Sequence, residues 1–304
     1  MTTLADRKYF TREHFEAHKG QAPAYLSELV VHCLELVAQL AANKLEFRFK
    51  GGNSQLVLLE QPRRLSIDVD IVTTVGKEEL TKLVHGIVDG CEAFTRLETR
   101  APKTKPWLPM ISFKLFFNSH YQPAEEAYVM LDAVLEAAPY DGVRKQVRCG
   151  TLYESGETVE LPTVSGLIAD KMLCIGPATT GIPLNKNKEA QRLKHVFDIG
   201  TLSRHPTDQD AMRAALHACL AQENKLQGSA WTWPQVAEDT AKFLKEAKPF
   251  ADKPDEEGIE KGTYLYEIVR GFEGFRKHVW RDDYTWKHFQ DDCARAHEIA
   301  ESLA

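Results

Sequence analysis

The stretch "FKGGNSQLVLLEQPRRLSIDVDIV", residues 49–72, decides how the chain is read. It opens on a glycine pair, Gly51 and Gly52, and closes on two carboxylates, Asp68 and Asp70, inside a β-branched run. The alternation of "LSIDVDIV" (65–72) predicts a strand. Side chains two apart on a strand point to one face, roughly 6.5–7 Å apart. Asp68 and Asp70 therefore project together, while Ile67, Val69 and Ile71 pack the other face. Two carboxylates held side by side repel one another unless a cation lies between them. A hard divalent ion, Mg2+ or Mn2+ in its place, suits such oxygen ligands together with phosphate. One or two ions of this kind serve phosphate chemistry.

The glycines supply the complementary half. "EFRFK" (46–50) reads as a short strand and "NSQLVLL" (53–59) as a short helix with Asn53 as its N-cap. Gly51 and Gly52 fall between them, where the missing Cβ atoms let backbone approach a ligand. The amide groups around Asn53 and Ser54 are placed to meet a phosphate. A phosphate cradle about 16 residues before a carboxylate pair is what nucleotidyl transfer needs, since catalysis there is positioning and charge neutralisation. Taken singly, a D-x-D reads as a solvated strand face and a Gly-Gly as a tight turn. Their order in one unit favours the functional reading.

Further strands are expected at "MISFKLFF" (110–117) and "YVMLDAVL" (128–135), and a helix at 76–91. An N-terminal helical region precedes them, with Leu26, Val30, Leu34 and Leu40 at helical spacing. After about residue 162 the pattern is wholly helical, broken by linkers at 176–187 and 248–262. The expected fold is α+β (α/β). A mixed sheet with flanking helices occupies residues 1–161, and an all-helical domain follows over 162–304.

Bulk properties narrow the class. The chain has 304 residues, 43% hydrophobic and 27% charged, so a packed core is expected. No run of about 18 consecutive apolar residues argues for a membrane span. The N-terminus has no apolar signal segment, so the cytoplasm is the expected location. Six single cysteines form no C-x-x-C pair, and free thiols are expected. A net charge of −6 does not suggest a general grip on nucleic acid. Local basic groups at Lys186, Lys188, Arg192 and Lys194 are candidates for steering a polyanion. "RAPKTKPW" (100–107), basic with a tryptophan for stacking, is a second such segment, but a solvated loop is its favoured reading.

The segment "KGGNSQLVLLEQPRRLSIDVDI" resembles the first motif of AbiEii/AbiGii-type nucleotidyltransferase toxins, a branch of the DNA polymerase β-like nucleotidyltransferases. That family shows a strand, a Gly-Gly-Thr or Gly-Ser element, a short helix and R-x-S-x-D-x-D. Arg64, Ser66, Asp68 and Asp70 fall on those positions, with Asn53 where Thr or Ser is usual. The likeness continues in "IADKMLCIG" with Lys171 and "RLKHVFDIGTL" with Lys194 and Asp198. It implies that Lys171 and Lys194 contact the nucleotide and that Asp198 completes the site. Asp132, in "YVMLDAVLE", is the loosely matched third carboxylate of the metal set with Asp68 and Asp70. Gly51, Gly52, Asn53, Ser54, Arg64 and Ser66 are implied around the nucleotide. The resemblance covers about residues 45–205.

It further implies an NTP held between the two halves, an RNA acceptor such as a tRNA 3′ end, a cognate antitoxin, and a role in toxin–antitoxin or phage-defence systems. Two other readings stand beside it. The same core modifies small molecules or proteins, and a retained fold serves as a non-catalytic nucleotide- or RNA-binding module. A bare binder, however, has little use for a repelling carboxylate pair.

Overall fold

The computed structural model describes residues 3–100, 107–122 and 127–303. The chain divides into two compact units. One comprises Met1–Ala138 with Gly142–Pro162, and the other Pro139–Asp141 with Thr163–Ala304.

The first unit begins with a 3-10 turn at Arg7–Phe10, then α1 (Arg12–His18) and α2 (Ala24–Ala42). The strands and remaining helices follow as β1 (Arg48–Lys50), α3 (Ser54–Leu58), β2 (Asp68–Val72), α4 (Lys77–Gly90), β3 (Arg96–Arg100), β4 (Met110–Phe116), β5 (Tyr128–Val134), β6 (Gly142–Cys149) and β7 (Tyr153–Pro162). The strands form one mixed sheet in the order β3-β4-β5-β2-β1-β7-β6. β2 lies at its middle, antiparallel to β1 and parallel to β5.

The alternation in the strands explains the layering. Phe49, Val69, Ile71, Phe113, Leu115, Leu131 and Ala133 are fully buried. α2 lies against the sheet, touching β2, β5, β6 and β7. Its Val30, Val31, Leu34 and Val37 are sealed from solvent. This helix is long and apolar enough to cross a bilayer, yet burial as the core helix of a folded unit accounts for that composition. Glu35, in the same helix, is also buried, and its carboxylate accepts from Tyr153 Oη at 2.8 Å, Gln39 Nε2 at 2.8 Å and Leu4 N–H at 2.8 Å. That set of donors lets a carboxylate sit in the core and ties the N-terminal segment to α2 and β7.

Three strands, β3, β6 and β7, are absent from the sequence reading. β3 reads "RLETR" and is largely exposed, and β6 shows three consecutive exposed residues. Neither carries the apolar alternation that marks a half-buried strand, because β3 and β6 are the sheet's edges. β2 also begins at Asp68, three residues later than "LSIDVDIV" suggests.

The second unit is helical among its described residues: α5 (Val164–Met172), α6 (Glu189–Leu202), α7 (Gln209–Gln227), α8 (Trp233–Lys245), α9 (Tyr264–Arg276) and α10 (Trp286–Leu303). Thr163 caps α5 by accepting from Gly166 N–H at 3.1 Å. Phe197, Phe272, Phe275, Tyr284 and Phe289 pack edge-on and stacked as an aromatic core. Both linkers contain no regular element. The six cysteines are free thiols.

Candidate active site

β1 delivers Phe49 into the core and leads the backbone into Gly51, whose φ of +74° lies in the left-handed region. Glycine is required here for two reasons, the φ angle and the available space. A Cβ on Gly51 would overlap Asp70 Oδ2, and one on Gly52 would fall 2.5 Å from Arg64 Nη2 and 2.7 Å from Ser66 Oγ. The turn is thus packed against three members of the R-x-S-x-D-x-D motif. Ser54 Oγ donates to Gly51 O at 2.9 Å and holds the turn from the other side. Arg64 is buried, with Nη1 donating to Leu65 O at 3.1 Å.

Asn53 departs from the capping expectation. Its backbone is already helical (φ −73°, ψ −29°) and its side chain makes no capping bond. An N-cap needs an extended backbone to turn its side chain onto the first amides. The Asn53 side chain is instead fully buried beside the Cys33 thiol. Ser54 is buried as well. Cys33 donates to Ile67 O at 3.1 Å. Burial first, then the nearby Asp68 and Asp70 charges, push its thiol well above the ordinary range, so it stays protonated.

The register of the sheet brings the carboxylates together. Asp70 pairs with Lys50 on one side and with Asp132 on the other. Asp68 is exposed, and Asp70 and Asp132 are half-buried. Ser112, opposite Asp132 on β4, donates its Oγ to Asp132 Oδ1. Asp68, Asp70 and Asp132 share the polar face of β2 and β5, with their apolar neighbours on the other. Among the described residues no group of three or more His, Cys, Asp or Glu side chains is drawn close enough to enclose a metal ion. The donor set is hard oxygen from adjacent strands, chemistry that fits a divalent cation bound jointly with phosphate oxygens rather than by protein alone. Ser112 is a site neighbour that the sequence reading missed. The alternation of "MISFKLFF" placed it on the polar face and was the available signal.

In the helical unit Lys171, from the last turn of α5, and Asp198, from α6, form an ion pair with Nζ–Oδ2 of 2.6 Å. Both are buried, so Lys171 is not a surface lysine. Lys194, one turn before Asp198, is half-buried. The basic group expected around residues 186–194 needs correcting at Arg192. Its guanidinium is fully buried, pairs with Glu267 at 2.9 Å and donates to Ile182 O, so it cannot steer a ligand. Lys186 and Lys188 are exposed. Of the basic loop at 100–107, residues 101–106 lie outside the described residues, and Trp107 is 74% exposed.

Comparison with known proteins gives the family. No curated protein sequence matches the chain. Among solved structures it is similar to MenT4, a nucleotidyltransferase toxin from Mycobacterium tuberculosis H37Rv, at a TM-score of 0.54 and 12% identity, covering 96% of this chain and 98% of that one. An antigenic nucleotidyltransferase-like protein from Paracoccidioides brasiliensis matches at a TM-score of 0.41 and 13% identity, over 70% of this chain and 97% of that one. At such identity the MenT4 likeness speaks for the fold. The family is given by sequence: the model of "Nucleotidyl transferase AbiEii toxin, Type IV TA system" matches residues 35–298. The chain therefore belongs to the AbiEii nucleotidyltransferase toxins, the toxin partners of type IV toxin–antitoxin systems.

Proposed function

We propose that this nucleotidyltransferase moves an NMP group from an NTP to the 3′ end of an RNA, a tRNA in the first instance, with Mg2+ as its cofactor. The observation that carries the reading is the packing of the Gly51–Gly52 turn against Asp70, Arg64 and Ser66, beside a second carboxylate strand in register. Asp68 and Asp70 would hold the ion, with Asp132 next to them. Bound there, a divalent cation supplies charge neutralisation at the phosphoryl group and sharpens the acidity of the attacking hydroxyl.

The chain's own residues do the rest. The Gly51–Gly52 turn, closed on Asp70, Arg64 and Ser66, would offer its remaining backbone face to triphosphate oxygens. Arg64 and Ser66 fix that turn from behind. Asp132, held by Ser112, would orient the acceptor hydroxyl. Transfer joins that oxygen to the α-phosphorus and releases pyrophosphate, the hydroxyl proton passing to a carboxylate or to water.

Such an activity would act in the cytoplasm, where NTPs and RNA meet, and would halt growth by blocking RNA 3′ ends, as a toxin and in phage defence. Membership of the family implies a cognate antitoxin. The test is incubation with each labelled NTP, Mg2+ and total RNA, beside protein and small-molecule acceptors. Label in an RNA band is the expected result. Label confined to a small molecule or a protein overturns the RNA acceptor.

A further inference from the structure

The carboxylate face of the sheet does not end at Asp132. Following the register outward, Asp132 pairs with Ser112 and Ser112 with Arg100; one step along, Met130 pairs with Lys114 and Lys114 with Glu98. One step further, Tyr128 pairs with Phe116 and Phe116 with Arg96. All of these residues therefore share the face that carries Asp70 and Asp132. On β5 the face reads Tyr128, Met130, Asp132, each half-buried.

Aromatic and cationic groups are already coupled there. The Lys114 ammonium rests 4.1 Å from the centroid of the Tyr128 ring. The Arg96 guanidinium rests 3.6 Å from that of Phe116. The two rings are 5.5 Å apart. Outward of Asp132, β4 and β3 bring three cations to this face, Arg96, Arg100 and Lys114, against one acid, Glu98. Aromatic faces interleaved with cations are what an unpaired nucleic-acid strand uses, bases on rings and phosphates on cations. A duplex end offers no unstacked base to such a surface.

We propose that this strip, with Tyr128 and Lys114 at its centre, seats the unpaired 3′-terminal nucleotides of the acceptor RNA. The proposal rests on the RNA-acceptor reading given above and assigns the strand to a track. On binding, the Lys114 ammonium exchanges the Tyr128 ring for a phosphate, and the ring exchanges the ammonium for a base. The terminal hydroxyl then lies toward Asp132, two strand steps away along β5. Tyr128 and Lys114 act as positioning residues.

The experiment uses the full chain and a short single-stranded RNA carrying a 5′ fluorophore and a free 3′ hydroxyl. Anisotropy gives its Kd, and labelled-NMP transfer gives separate KM values for RNA and NTP. Loss of one base–aromatic stack weakens binding roughly ten- to hundredfold. Tyr128→Leu is expected to raise Kd and RNA KM by that factor with NTP KM unchanged, Tyr128→Phe to restore both, and Lys114→Gln to flatten the salt dependence of Kd. The same RNA annealed into a blunt duplex is expected to bind more weakly. Wild-type RNA affinity in Tyr128→Leu and Lys114→Gln, or equal binding of the duplex, overturns the track while RNA labelling by the wild type leaves the acceptor reading standing. A wild-type chain that labels no RNA overturns both. Should Tyr128→Leu not fold, the Tyr128→Phe and Lys114→Gln salt titrations decide alone: an unchanged slope in Lys114→Gln rejects the track.

Discussion

The Asp70 carboxylate fills the space that a side chain on Gly51 would need. Gly51→Ala therefore meets two penalties, a left-handed φ of +74° and overlap with Asp70 Oδ2. The first costs about 1–2 kcal/mol. The second displaces the carboxylate proposed to hold the ion. Transfer is expected to fall by more than about tenfold, while urea denaturation shows a loss of only about 1–3 kcal/mol. Gly228, at the C-cap of α7, is the control. It has φ +72° and open space around its Cβ position. Gly228→Ala should cost similar stability and leave transfer intact. Equal loss of activity in both variants would show that strain alone accounts for the effect.

Asp68→Asn and Asp70→Asn each remove one of two neighbouring negative charges. The loss of several kcal/mol of phosphoryl charge stabilisation corresponds to roughly a thousandfold or more in rate. The folded state sheds repulsion at the same time. Tm is therefore expected to stay level or rise without added metal, and Mn2+ binding by calorimetry to weaken. Full transfer activity in either variant would remove these residues from the site.

Lys171 and Asp198 set a trap for simple mutagenesis. Removing one partner of a buried ion pair leaves the other charge uncompensated, at about 3–5 kcal/mol. Lys171→Ala is expected to lose that much stability, so a fall in activity by itself says little about phosphate contact. The double variant Lys171→Met/Asp198→Leu should recover much of the stability, since an apolar replacement of a buried pair is close to neutral. Recovery of stability with NTP KM still raised is the result that assigns Lys171 to the nucleotide. Recovery of both makes the pair a structural pin of the helical unit.

The parts legible in the sequence were those whose signal is local. β1, β2, β4 and β5 alternate apolar with polar residues because one face is sealed by helix and the other carries Lys50, Asp70, Ser112 and Asp132. The glycine turn and its partner motif were readable for the same reason. What was not legible depends on pairing across long separations. β3 and β6 are edge strands whose exposed residues carry no alternation. Arg192 looks like surface charge until Glu267, 75 residues later, is folded against it. Asn53 looks like a cap until the backbone of the glycine turn runs straight into helix. The in-register pairing of Asp132 with Asp70 is likewise a property of the sheet and not of either strand.

His32 gives the chain a pH dependence of its own. It lies in α2, stacked on Phe117 with centroids 3.8 Å apart, and its Nδ1 bonds Glu28 O at 2.8 Å. Burial, opposed by that carbonyl and reinforced by the His120 charge, lowers its pKa to about 4. Arg7, Glu92 and His120 border the same recess. Between the ordinary value near 6.5 and about 4, the unfolded chain binds a proton that the folded chain refuses. Stability is thus complete above pH 6.5 and declines as pH falls toward 4. At 1.36 kcal/mol per pH unit the loss approaches about 3 kcal/mol. His32→Phe keeps a ring on Phe117 and abolishes the titration. Urea midpoints measured from pH 7.5 to 4.5 should fall less steeply in this variant than in the wild type, the difference isolating His32 from the carboxylates common to both. Parallel pH profiles would mean that His32 is protonated in the folded chain as readily as in the unfolded one.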